Sequence, residues 1–345
     1  MNLQRAGAAL VLVFILIGGA NAACSSCGKA TENWDPTAFL NSDITVPYGP
    51  GTNTGANNST RSELVQPAYR VDPSLQSGLL RQIADLSSSD VVMDVSNDNS
   101  YFESHIQGAA YVPSRSFFND NGTLKPAQEM AAILGQAGIS REDSVVVYSD
   151  SLESGASTFA IWALEYLGQS NVRLLDGSFD DYSAAGLPVE SGQSSRGEAN
   201  YVPEVRPELL ASFDVASGGS AQIVDARDFQ DYGLGRIPGA SFIDPSDVLD
   251  KGKIASSSYL NSTFAGLSKG SPVIVYSDDG VTASLVWYAL SLIGYDSRLY
   301  TWNDWQAHGA AESAVQTGSN ITRTGSKSKT IATSTLKSGT YKRLG

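Results

Sequence analysis

Short apolar runs recur along the middle of the chain, each bounded by polar or glycine-containing segments. Residues 91–93 and 145–148 form two of these runs, and residues 222–224 and 273–276 form two more. They consist largely of valine, isoleucine and tyrosine, which suit a strand that is buried on both faces. The pattern therefore predicts buried strands, with 145–148 and 273–276 at the centre of their sheets.

Longer apolar stretches follow two of these runs. They occupy residues 158–168 and 284–294, and both end on glycine, which commonly closes a helix in the left-handed conformation. A further apolar run comes next in each case, at 172–175 and 297–300. Strand and helix thus alternate, which predicts the α/β class with a mostly parallel sheet flanked by helices.

The same motifs occur twice in the same order. Val-Val-Val-Tyr-Ser-Asp at 145–150 returns as Val-Ile-Val-Tyr-Ser-Asp at 273–278, 128 residues later. His-Ile-Gln-Gly-Ala at 105–109 returns as Arg-Ile-Pro-Gly-Ala at 236–240, 131 residues later. Separations this similar indicate two copies of one domain, each with its own core. The predicted domains span residues 76–192 and 205–312.

Both ends of the chain differ from this body. Residues 1–22 are typical of an export signal, with Arg5, an apolar core and the cleavage pattern Ala-Asn-Ala at 20–22. A Ser/Thr/Asn/Gly-rich arm at 23–75 follows, and a basic Ser/Thr-rich tail occupies 313–345. We expect an exported protein, periplasmic or extracellular, without a transmembrane segment after signal removal. A retained membrane anchor and a lipid on Cys24 are the alternatives.

Charge and composition argue against several classes of ligand and cofactor. The formal net charge is −13, which argues against a nucleic-acid partner. Two histidines and two cysteines are too few for a closed zinc site or an iron–sulfur cluster, so we expect no metal and no cofactor. The cysteines, Cys24 and Cys27, are spaced C-x-x-C. A redox pair, a local disulfide and a lipid anchor all remain open for them.

Three motifs in the second copy carry a family resemblance. They are Asp225-Ala226-Arg227, Gly-Arg-Ile-Pro-Gly-Ala at 235–240, and the segment from Val273 to Ala283 with Gly-Val-Thr-Ala at its end. The chain resembles the rhodanese (thiosulfate sulfurtransferase) family in its tandem form, over about residues 85–310. The resemblance implies two consecutive rhodanese-like domains, each a mostly parallel central sheet flanked by helices.

The loop after each central strand departs from the family. The resemblance places the catalytic cysteine of active members, which carries sulfur as a persulfide, at Ser277 in the second copy and at Ser149 in the first. A serine hydroxyl stays protonated near neutral pH and forms no equivalent persulfide. We therefore expect no catalytic residue and treat the second loop as a binding site. Its candidate residues are Ser277, Asp278, Asp279, Gly280, Val281, Thr282 and Ala283, together with Arg227.

Function follows from this departure. The sequence predicts a protein without ordinary sulfurtransferase activity that binds a small oxyanion or a protein partner. The alternative is an active sulfur- or chalcogen-transfer or redox enzyme that uses Cys24 or Cys27. An assembly role for the ends of the chain is a third possibility, and the oligomeric state is left open.

N-x-[ST] glycosylation sequons begin at Asn57, Asn58, Asn121, Asn261 and Asn320.

Overall fold

The structure is a computed structural model that describes residues 72–309. The predicted signal, Cys24 and Cys27, almost all of the predicted arm and the basic tail lie outside these residues. Among the described helices, none combines the length and the apolar character that a bilayer crossing needs.

The first domain is built on a sheet of five parallel strands in the order β1-β6-β5-β2-β4. Two short strands, β3 and β7, pair antiparallel beside it. The strands are β1 (Leu80–Gln82), β2 (Asp90–Asp94), β3 (His105–Ile106), β4 (Ala110–Tyr111), β5 (Ser144–Tyr148), β6 (Val172–Asp176) and β7 (Val189–Glu190). The helices are α1 (Asp98–Glu103), α2 (Ala127–Gln136), α3 (Ala156–Tyr166) and α4 (Phe179–Ala184).

The second domain repeats this plan with four parallel strands in the order β13-β12-β8-β9. A short antiparallel hairpin joins β10 to β11. The strands are β8 (Gln222–Asp225), β9 (Ser241–Phe242), β10 (Leu249–Asp250), β11 (Lys253–Ile254), β12 (Val273–Ser277) and β13 (Ser297–Thr301). The helices are α5 (Phe213–Ser217), α6 (Phe229–Leu234), α7 (Ser257–Thr263) and α8 (Val281–Leu292), and a last helix begins at Trp302.

The predicted fold class is confirmed, since both domains are parallel sheets with helices against them. β5 and β12 lie inside their sheets, and their valines and isoleucine are fully buried. Gly168 and Gly294, just after α3 and α8, have φ values of 94° and 82°, which is the left-handed conformation expected of a helix stop.

The two domains meet along α3 and α8, the helices that follow the central strands. The hydroxyl of Thr158 on α3 lies 2.8 Å from the hydroxyl of Ser284 on α8, and both residues are fully buried. Gly155, just before α3, is so close to α8 that an added Cβ would lie 2.4 Å from the carbonyl oxygen of Val281. The N-terminal ends of the two helices, and the loops that lead into them, are therefore neighbours.

Candidate functional site

The loop after β12 is short and turns directly into α8. Ser277 is the last residue of the strand, and Gly280 adopts φ 91° immediately before the helix starts at Val281. The Ser277 Oγ accepts hydrogen bonds from the backbone N–H groups of Gly280 at 3.1 Å and Ala283 at 3.2 Å. Ser277 is only 2 % exposed. Its hydroxyl thus satisfies N–H groups that a helix N-terminus otherwise offers to an anion.

Two carboxylates stand at the mouth of this loop. Asp279 accepts a hydrogen bond from the Val281 N–H at 3.0 Å through Oδ1, and its Oδ2 pairs with Arg115 Nη1 of the first domain at 2.7 Å. The pKa of the Asp278 carboxyl is raised, first by partial burial and then by nearby carboxylates, among them Asp231 and Asp279. A raised carboxyl pKa means that an added negative charge is disfavoured here.

Arg227 lies beside the loop with its guanidinium directed into the protein. Nε and Nη2 bind both oxygens of the buried Asp225 at 3.0 and 2.7 Å, and Nη2 also donates to the carbonyl of Gly235 at 2.6 Å. The guanidinium carbon lies 4.1 Å from the centre of the Trp302 ring. Arg227 is 7 % exposed, so it holds the strand end and the start of the last helix together. Its predicted role in ligand binding stays a prediction.

The remaining candidates lie on the first turn of α8. Val281 and Ala283 are buried, and Thr282 is exposed. The Thr282 hydroxyl lies 3.5 Å from the carbonyl of Ala226, the residue before Arg227. The structure therefore brings the predicted loop residues and the Arg227 segment to one edge of the second sheet.

The loop after β5 is arranged differently, although it starts with the same Tyr-Ser-Asp. The Ser149 hydroxyl donates to the carbonyl of Ser151 at 2.9 Å and lies 3.3 Å from the hydroxyl of Ser157. A short 3-10 turn at Leu152–Ser154 then leads to Gly155 and α3. A cavity of about 120 Å³ adjoins this loop, with Ser149, Asp176 and Lys253 among its lining residues.

Comparison with known proteins decides the family. The family model for the rhodanese-like domain matches residues 78–185 and 213–308, which is more than half of the chain. The chain belongs to the rhodanese family. Both copies of the domain seen in the sequence repeat are matched, which confirms the tandem resemblance.

The named relatives of this rhodanese-family chain agree with the family match. It is 29 % identical over 276 residues to the thiosulfate sulfurtransferase of Corynebacterium glutamicum, covering 69 % of this chain and 88 % of the relative. It is 27 % identical over 235 residues to the 3-mercaptopyruvate sulfurtransferase of Escherichia coli, covering 60 % and 82 %. The crystal structure of the 3-mercaptopyruvate sulfotransferase SseA from Escherichia coli has the same fold, with a TM-score of 0.60 at 22 % identity over 65 % of this chain and 98 % of that one.

Sequence reasoning missed two residues at the second rhodanese-like domain's loop. Arg115 reaches Asp279 from the first domain, 164 residues away, and no local pattern signals such a contact. Trp302, just after β13, covers the Arg227 guanidinium. A planar guanidinium stacks well on an indole, but no local sequence pattern connects Arg227 with a tryptophan 75 residues later.

Proposed function

We propose that this chain is an exported rhodanese-family protein that has no ordinary sulfurtransferase activity and instead binds a cationic partner protein. The observation that carries the proposal is the Ser277 hydroxyl, which is buried and accepts the N–H groups of Gly280 and Ala283. Sulfur transfer of the usual kind needs a thiolate that attacks a sulfane sulfur and keeps it as a persulfide. The chain has cysteine only at positions 24 and 27, so neither loop holds a thiol.

Sulfurtransferase assays on the full chain test the first half of the proposal. Thiocyanate formation from thiosulfate and cyanide is expected to stay at background in the wild type. In Ser277→Cys, the new thiol lies where two N–H groups converge, so a persulfide adduct is expected by intact mass. Ser149→Cys is the matched control and is expected to gain none, because the Ser149 hydroxyl faces its own loop carbonyl rather than helix N–H groups.

Wild-type turnover would contradict this half. If that turnover disappeared in Cys24→Ser and Cys27→Ser, the chain would be an enzyme that uses its N-terminal cysteines. If turnover survived those changes but disappeared in Ser277→Ala, the serine itself would be the reactive group. Both results overturn the proposal, and each assigns the activity to a different part of the chain.

The charge at the loop mouth favours a cationic partner over an oxyanion. Asp278 and Asp279 stand at the entrance, and the pKa of Asp278 is raised, mainly by partial burial and to a smaller degree by the neighbouring carboxylates Asp231 and Asp279. The two nearby guanidinium groups, on Arg115 and Arg227, are already paired with carboxylates. A small oxyanion would meet these carboxylates before it reached any N–H group, so electrostatics oppose it.

The neighbouring helix α6 supplies apolar surface beside these charges. Phe229 is 70 % exposed and Leu234 is 79 % exposed, more than any other large apolar side chain among the described residues. Asp228 precedes the helix and Asp231 lies within it, close enough to Asp278 to raise its pKa. An apolar surface with acidic neighbours is complementary to a protein segment that carries both lysine or arginine and large apolar side chains.

A synthetic amphipathic peptide of lysine and leucine serves as the probe for this surface. We expect this peptide to bind the full chain and added salt to weaken that binding. Phe229→Ser should lower the affinity at least about tenfold, because a central apolar contact is removed. Asp231→Asn is expected to weaken it less. Asp214→Asn on α5 is the matched control and should leave affinity unchanged. An affinity that is unchanged in Phe229→Ser would contradict the proposed surface. Binding that appears only when the six basic residues of the tail at 313–345 are replaced by glutamine would mean that the tail, and not a partner protein, occupies this surface.

A further inference from the structure

The turn at residues 118–124 places one glycosylation sequon in an accessible and locally ordered conformation. Phe118 and Leu124 form an antiparallel bridge, and between them the Asn119 N–H donates to the carbonyl of Thr123 at 2.8 Å. The tip of the turn contains Asn121-Gly122-Thr123, and all three residues are exposed. The sequon therefore lies at the end of a hairpin that projects into solvent.

The side chains of this sequon meet each other. Asn121 Oδ1 accepts hydrogen bonds from the Thr123 N–H at 3.1 Å and from the Thr123 hydroxyl at 2.7 Å. Within the described part of the chain, the Asn121 Nδ2 donates no hydrogen bond, so the nitrogen that would carry a glycan is unengaged. Gly122 has φ 79°, and a Cβ at its position would touch nothing within 4 Å, so the approach to the tip is open.

The other sequon among the described residues, Asn261-Ser262-Thr263, has the opposite arrangement. It lies in helix α7, where side chains two positions apart point to different faces. Asn261 Nδ2 donates to the carbonyl of Ser257 at 2.7 Å, and the Thr263 hydroxyl donates to the carbonyl of Asp247 at 3.3 Å. Both groups that define the sequon are thus already occupied by the fold.

We infer that Asn121 is an N-glycosylation site and that Asn261 is not; the inference rests on the proposed export. The co-reactant is a lipid-diphosphate-linked oligosaccharide. The Asn121 Nδ2 forms a bond to the sugar C1, the bond between C1 and the diphosphate oxygen breaks, and the amide proton leaves with the lipid diphosphate. The backbone hydrogen bonds that shape the tip of this turn join residues within 118–124.

The test expresses the full chain in a eukaryotic cell whose secretory route N-glycosylates proteins. Peptide mapping before and after peptide N-glycosidase is expected to show a glycan on the Asn121 peptide and none on the Asn261 peptide. Asn121→Gln and Thr123→Val are expected to abolish that glycan, and Thr123→Ser to retain it. Asn261→Gln is the matched control and should not change the pattern at Asn121.

Export and glycosylation are separated by reading the N-terminus of the same sample. A mature chain that starts at Ala23 but has an unmodified Asn121 overturns the inference and leaves export intact. If the chain stays in the cytosol, the export proposal fails, and the same chain is directed into the secretory route by a heterologous signal. An unmodified Asn121, or a modified Asn261, in that second sample overturns the inference on its own.

Discussion

The loops after β5 and β12 begin with the same Tyr-Ser-Asp, and the fold uses their serines in opposite ways. In the second domain, Ser277 Oγ accepts one hydrogen bond from the N–H of Gly280 in the turn and one from the N–H of Ala283 in α8. In the first domain, Ser149 Oγ donates to the carbonyl of Ser151. Between its serine and the glycine before the helix, the first loop is three residues longer, and its extra length forms a 3-10 turn. Loop length, rather than residue type, decides whether the hydroxyl faces the helix N-terminus.

A second difference lies in the glycines that precede the helices. Gly155 and Gly280 both adopt the left-handed conformation, with φ values of 73° and 91°. A Cβ on Gly155 would lie 2.4 Å from the carbonyl oxygen of Val281, whereas a Cβ on Gly280 would find its nearest neighbour at 3.8 Å. Only the first glycine is therefore required by close packing between the domains as well as by its backbone conformation.

The largest stability change is expected from alanine at these glycines. Gly155→Ala should lower the free energy of unfolding by about 3–4 kcal/mol, because the left-handed conformation costs about 1–2 kcal/mol and the clash with Val281 forces the helices apart. Gly280→Ala should cost only the conformational part, about 1–2 kcal/mol. Denaturant titration of both variants measures the difference. Equal losses would show that the close approach of Gly155 to α8 is not needed.

Glu165 gives the two helices different pH responses. Burial raises the pKa of Glu165 to about 7, and Arg206, 4.0 Å away, only partly offsets this. Because the folded pKa lies above the ordinary value of 4.5, stability is fully present below about pH 4.5 and is lost as the pH rises through about 7. The loss attributable to this group is about 3 kcal/mol. The equivalent residue on α8, Ser291, has no charge to lose.

Urea titrations of the wild type and Glu165→Gln across this pH range test the assignment. The variant should be the more stable protein at pH 8 and should lose most of its advantage at pH 4.5, since glutamine resembles the neutral acid. Ser291→Ala is the matched control and should shift stability equally at both pH values. A difference between wild type and Glu165→Gln that stays constant with pH would refute the raised pKa.

Much of this fold could be predicted from the sequence, because residues that are close together in the chain determine its strands and helix ends. The β-branched runs predicted β5 and β12, and the glycines after α3 and α8 predicted where those helices stop. The repeat predicted two domains, which the family match confirms. The contacts between domains could not be predicted, since Arg115 and Asp279 are 164 residues apart. The sequence also could not predict where the hydroxyls of Ser149 and Ser277 point, because this depends on the hydrogen-bond geometry within each turn.

A smaller effect is expected where α3 and α8 exchange hydroxyl contacts. Thr158 Oγ1 donates to the carbonyl of Gly155 at 3.0 Å and lies 2.8 Å from Ser284 Oγ. Ser284 also lies 2.6 Å from the carbonyl of Val281, so it keeps a partner when Thr158 is changed. Thr158→Val should therefore cost about 1 kcal/mol, the usual net value of one hydrogen bond.

A double-mutant cycle with Ser284→Ala sharpens this comparison of the helices. The two changes should together cost less than their sum, because each alone already removes their shared contact. Thermal unfolding of the two single variants and the double variant measures the coupling. Strict additivity would show that the two hydroxyls do not interact, and that the helices are held by their apolar contacts alone.

The smallest effects are expected from the ion pairs that reach each loop region from the opposite domain. Arg115 of the first domain pairs with Asp279 at 2.7 Å, and Lys253 of the second pairs with Asp181 at 3.0 Å. The Arg115 side chain is 69 % exposed and that of Lys253 is 34 % exposed, so water screens both pairs. Arg115→Gln and Lys253→Gln should each cost less than about 1 kcal/mol, and less still in high salt. A loss above about 2 kcal/mol in either variant would mean that these charges, and not α3 and α8, hold the domains together, because exposed pairs of this kind are too weak to do so unless water is excluded from the contact.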